Sequence, residues 1–80
     1  MTTTEWTKGE ILWFDVSSGE GQVRSSENNE IYYLHGSCLK GVDLSPFEKH
    51  GVVHNVDIDF TLYVNIYSAQ VEMVRLPLKH

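Results

Sequence analysis

Lys8-Gly-Glu-Ile-Leu-Trp-Phe-Asp15, then Val16-Ser-Ser-Gly-Glu-Gly21, then Gln22-Val-Arg-Ser25, is the stretch on which the reading of this chain turns. Residues 9–15 are short, aromatic and branched, which suits a β-strand. Val16 to Gly21 is turn chemistry, with serines and two glycines in six positions. Residues 22–25 make a second short strand. Side chains alternate faces along a strand, so positions 20 and 22 share one face while Gly21 and Val23 share the other.

Outward from that hairpin the pattern repeats. Residues 25–30 are polar, a loop or hairpin tip. Ile31-Tyr-Tyr-Leu-His35 is a third strand, in which Tyr33 and His35 face outward and Tyr32 and Leu34 face a core. Residues 36–51 are punctuated by Gly41, Pro46 and Gly51, which predicts a turn or short 3₁₀ helix and then loop. Residues 52–63 are the longest strand candidate: Val56, Ile58, Phe60 and Leu62 alternate with Asp57, Asp59 and Thr61, which buries one face and solvates the other. Residues 69–76 form the last strand, with Val71 and Met73 on one side and Gln70 and Glu72 on the other, and Pro77 ends it. No segment carries helical periodicity with caps. Five short strands in about 70 residues predict a small closed barrel, because closure removes exposed sheet edges.

Bulk properties narrow the function. Eighty residues make one small domain, divided into an N-terminal extension (1–7), a barrel (8–76) and a C-terminal tail (77–80). The net charge is −5 and each half of the chain is acidic, so no basic half grips a phosphate backbone by charge alone. No apolar run has the length of a membrane span. Met1-Thr-Thr-Thr-Glu-Trp6 has neither the basic nor the apolar region of a secretory signal. The single Cys38 forms no internal disulfide. A cytoplasmic protein is expected. Catalytic signals are weak: Gly19-Glu-Gly21 lacks the Gly-Lys-Ser/Thr ending of a phosphate loop, and His35 has no nucleophile or orienting acid at a visible spacing. His50 and His54 are four apart, but Gly51 and two valines between them disfavour the helix that would align them. Asp57 and Asp59 read as a solvated outer face. No enzyme, metal or cofactor is expected.

Two motifs carry a resemblance. Residues 8–23 resemble the opening of a cold-shock domain, whose pattern is Gly-x-Val-Lys-Trp-Phe-Asn and, three residues on, Gly-Tyr/Phe-Gly-Phe-Ile; Gly9, Ile11, Trp13, Phe14, Gly19, Gly21 and Val23 fall at the matching places without a gap. Tyr32-Tyr-Leu-His-Gly-Ser-Cys-Leu39 resembles the family's Val-Phe-Val-His-Phe-Ser-Ala-Ile. Ser68-Ala-Gln-Val-Glu-Met-Val74 resembles its last strand. The resemblance covers residues 8–76, loosely between 40 and 56. It implies a five-stranded antiparallel oligonucleotide-binding (OB) barrel that stacks bases of single-stranded RNA or DNA on outward aromatics of its second and third strands, as a weak RNA chaperone does.

The chain departs from that pattern at the binding face. Family aromatics are replaced by Glu20, Gln22 and Gly36, and family lysines by Leu12 and Ser18. Trp13, Tyr33 and His35 remain, with Phe14 beside them and Arg24 placed for a phosphate or a partner carboxylate. Each lost stacking partner removes about 1–3 kcal/mol. Trp13 reads either as the stacking platform or as core. Leu12 points inward or marks an apolar patch for a protein. Tyr63 and Tyr67 flank the last turn, as a second stacking site or as packing for the barrel end. Trp6 covers a barrel edge. Two functions follow. One is weak binding of single-stranded RNA or DNA through Trp13, Phe14, Tyr33, His35 and Arg24. The other is a protein-interaction or regulatory barrel, an acidic mimic of nucleic acid, that has lost nucleic-acid binding.

Overall fold

The computed structural model describes residues 5–77, so only parts of the N-terminal extension and C-terminal tail fall within it. Six strands follow in chain order: β1 (Thr7–Asp15), β2 (Glu20–Ser25), β3 (Ile31–His35), β4 (Glu48–Lys49), β5 (Val52–Val64) and β6 (Ala69–Arg75). Two 3₁₀ turns, Gly36–Leu39 and Ser45–Phe47, lie between β3 and β4. The five expected strands are all present. The segment expected to be turn and loop also holds β4, which pairs with the start of β5 through the two-residue turn His50-Gly51. Both turn residues have positive φ, 54° and 81°, which matches the strand twist of a tight hairpin.

The sheet order is β1-β2-β3-β6-β5-β4, and β1 also pairs with β5, so five strands close into a barrel. The barrel is mixed, whereas the resemblance implies a wholly antiparallel one. β3 and β6 run parallel and meet at one bridge, Tyr33 with Gln70; every other pairing is antiparallel. Closure needs both edges of the β1–β2–β3 meander covered. The 13-residue β5 does this by pairing with β1 along its first part and with β6 along its second.

The core follows the alternation. Ile11, Val23, Leu34, Val53, Ile58 and Phe60 are almost wholly buried. Phe14 is buried as well, at 7 % exposure, and so does not stand beside Trp13 on the outer face. Its ring lies against Gly21, which it pairs with, and reaches toward Gly36. The parity that puts Phe14 inside is set by a bulge: Ile11 opposes Val23 and Trp13 opposes Gln22, which leaves Leu12 as the extra residue, half-buried.

Two further expectations fail for local reasons. Met73 does not share a side with Val71. A register shift opposite Thr61/Leu62 makes Glu72 the extra residue, so Val71 and Val74 point inward and Met73 is 44 % exposed. Nor are the outward positions of β5 all solvated. Asp57 is exposed, but Asp59 and Thr61 are buried. Arg75 Nε donates to Asp59 Oδ2 at 3.1 Å, and the Trp6 ring lies 4.1 Å from the Arg75 guanidinium carbon, so Trp6 covers this edge of the barrel. Among the described residues no helix is long and apolar enough to cross a membrane.

Candidate nucleic-acid interface

Paired residues in a sheet project to the same side, so the registers show which outward side chains become neighbours. Starting at β1, Trp13 pairs with Gln22 on β2, Gln22 with Tyr33 on β3, Tyr33 with Gln70 on β6, and Gln70 with Tyr63 on β5. Five outward side chains thus follow one another round the barrel wall, alternating aromatic and amide, with Trp13, Gln22 and Tyr33 side by side on adjacent strands and Gln70 and Tyr63 continuing the row as the wall curves away. Aromatics on alternate strands stand about 10 Å apart. Tyr33 is 42 % exposed and Tyr63 38 %, and Trp13 is half-buried. Trp13 therefore stands on the outer surface.

Below this row runs a second, Asp15 with Glu20 and Glu20 with His35. Tyr33 and His35 both face outward, as alternation required, with ring centroids 6.3 Å apart and planes tilted by 42°. His35 also caps the 3₁₀ turn that follows it: its Nδ1 accepts from the Ser37 backbone N–H at 3.1 Å and lies 2.9 Å from the Ser37 hydroxyl. An acceptor Nδ1 leaves the ring proton on Nε2 in the neutral form, as a donor toward solvent.

The departures from the family pattern are tied to the aromatics that survive. The Trp13 indole N–H donates to Gln22 Oε1 at 3.1 Å. The Tyr33 hydroxyl donates to Glu20 Oε1 at 3.3 Å. Partial desolvation, then the Glu20 charge and hydrogen bond, push the Tyr33 phenol above its ordinary value, so it remains a donor through the neutral range. Each of these bonds joins a surviving aromatic to the polar side chain opposite it.

Arg24 is outward but not free. Its Nη2 lies 2.9 Å from Glu10 Oε1, and Glu10 pairs across with Asp57 on its other side. The cation expected to meet a phosphate thus already has a carboxylate partner on this chain, with which a phosphate would have to compete. Of the five expected site residues, Trp13, Tyr33 and His35 share the face, Arg24 borders it paired, and Phe14 lies beneath it.

Tyr63 and Tyr67 do not pack the barrel end. The β5–β6 turn is held by Asn65, whose Oδ1 accepts from the backbone N–H of Tyr67 at 2.8 Å and of Ser68 at 3.0 Å. It presents Ile66 and Tyr67, each about nine-tenths exposed. His50 is in a turn and His54 on a strand, so the four-residue spacing does not align them. Cys38 is partly buried, its Sγ 3.2 Å from the Val71 carbonyl.

Sequence reasoning missed Gln70 and the tie of Glu20 to Tyr33. Alternation marks both as outward, but their neighbours depend on the register, which the bulge at Leu12 and the parallel β3–β6 bridge set. No protein-family model, curated protein or solved structure matches this chain.

Proposed function

We propose that this barrel binds single-stranded RNA or DNA weakly, by stacking bases on Trp13, Tyr33 and Tyr63, as a divergent cold-shock-like member of the OB class. The observation that carries the reading is the outward row Trp13–Gln22–Tyr33–Gln70–Tyr63. Sequence-tolerant single-strand binders use such a platform, because every base has a face to stack and an edge to hydrogen-bond. The strand order supports the OB assignment: with the short β4 set aside, a three-stranded meander is closed by a β5–β6 hairpin. Acid around the face and the pairing of Arg24 with Glu10 make the binding stacking-led and not charge-led.

The test is a titration of the Trp6→Phe protein with short oligo-dT and oligo-U, read by Trp13 fluorescence. Saturable quenching at micromolar concentration is the expected result. In parallel, anisotropy of a labelled oligonucleotide with Trp13→Ala should show affinity lowered by about one to two decades, the loss of one stacked base. A folded Trp13→Ala protein that binds as the wild type does would overturn the reading.

A second reading, a protein-interaction module, is favoured by the exposed Ile66-Tyr67 turn. It gains ground if oligonucleotides do not bind at all.

A further inference from the structure

Resting on that reading, we propose that Glu20 and Gln22 form a base-edge reader that selects guanine in single-stranded nucleic acid. The two residues are outward neighbours on β2, two positions and so about 7 Å apart along the strand. Both are exposed and both are held by an aromatic.

The hydrogen bonds fix what each side chain has left to offer. An indole N–H only donates, so the amide end facing Trp13 is the oxygen, and Gln22 Nε2 turns its two N–H groups away from Trp13, with no partner among the described residues. The Tyr33 hydroxyl uses one oxygen of Glu20, and a carboxylate still has acceptor sites to spare. The face therefore presents a donor beside an acceptor with two oxygens, flanked by the Trp13 and Tyr33 rings.

Guanine complements that arrangement. Its Watson–Crick edge carries the O6 acceptor next to two neighbouring donors, N1–H and an N2 amino hydrogen. The donors fit a carboxylate and O6 fits the Gln22 amide. Thymine and uracil have one N–H on that edge. Adenine and cytosine have one exocyclic amine and otherwise acceptors, which leave a carboxylate oxygen unmatched. Single-stranded bases are open to such reading because the edge is not engaged by a complementary strand. The repulsion of phosphate by Glu20 is then offset by the one base whose Watson–Crick edge offers it two adjacent donor groups.

The experiment uses the whole chain and labelled oligo-dT carrying one central substitution: dG, dA, dC or deoxyinosine, which keeps O6 and N1–H but lacks the N2 amine. The expected order places dG tightest, on the order of tenfold over dA and dC, with inosine between. Glu20→Gln should erase the preference for dG over inosine. Equal binding of dG, inosine and dA with binding intact overturns the guanine reader and leaves base stacking standing. A dG preference that survives Glu20→Gln overturns the role of Glu20. Failure of every oligonucleotide to bind overturns both the reader and the reading on which it rests.

Discussion

A Cβ on Gly21 would meet the Trp13 carbonyl oxygen and stand 2.9 Å from the Phe14 Cα, both of them backbone atoms that cannot turn aside. Gly21 is therefore required by close approach, not by its φ. Gly21→Ala should cost about 3 kcal/mol and lower the urea midpoint accordingly, since overpacking against backbone forces the β1–β2 pair apart. Thr61 presents the opposite case. Its Oγ1 is buried with no hydrogen-bond partner among the described residues. Thr61→Val replaces an unsatisfied hydroxyl by a methyl of like shape and should raise stability by about 0.5–1 kcal/mol in the same measurement. Between these lies Arg75. Its removal leaves the buried Asp59 carboxylate without its partner, but the guanidinium end is nearly half exposed, so the cost is discounted for solvent. Arg75→Ala should destabilise by about 1–2 kcal/mol, and the Asp59→Asn background should recover part of that loss.

At the scale of the element, two turns are tied by carboxylates. The Ser17 hydroxyl, then the backbone N–H groups of Ser17 and Ser18, lower the Asp15 carboxyl below its ordinary value in the β1–β2 turn. The Ser45 hydroxyl and N–H do the same for Asp43 ahead of the second 3₁₀ turn. A folded value below the unfolded one stabilises above the ordinary carboxylate range and is lost as pH falls through the folded value. Stability should thus decline on acidification below about pH 4, and Asp15→Asn should flatten part of that decline in denaturant titrations. The elements themselves were largely legible in the sequence. Aromatic and branched residues between turn-rich segments mark β1, β3 and β5, while β2 and β6 are legible from the turns that bound them and the alternation within them. What alternation missed were the two bulges, at Leu12 and Glu72, because an extra residue changes parity without changing composition. Alternation therefore sets Met73 on the side of Val71, where the register shift turns it away. The five-membered row across the barrel stayed hidden for a related reason. It is a property of registers between strands far apart in the chain, and Tyr33 meets Gln70 only once β6 has closed against β3.

At the scale of the whole molecule, charge decides how a ligand is held. On the proposed reading, a net charge of −5 and the pairing of Arg24 with Glu10 would leave few phosphates neutralised and few counterions released when an oligonucleotide binds. A plot of log affinity against log salt for a single-stranded oligonucleotide should have a slope shallower than about −1.5, as for one or two phosphate contacts. A steep slope would show that a cationic surface away from this face carries the binding. The closed ring also has a consequence for how the chain is made. β1, β2 and β3 leave the ribosome first and can pair at once, but their two outer edges are both completed by the hairpin of β5 and β6, which emerges some twenty to forty residues later. For that interval the nascent meander displays two unpaired strands to its surroundings, and a chain stalled before β6 would keep one of them. The same dependence makes the β5–β6 hairpin a removable clasp. Cleaving the backbone between β3 and β4 should yield two fragments that reassemble when mixed, each supplying the edge that the other lacks.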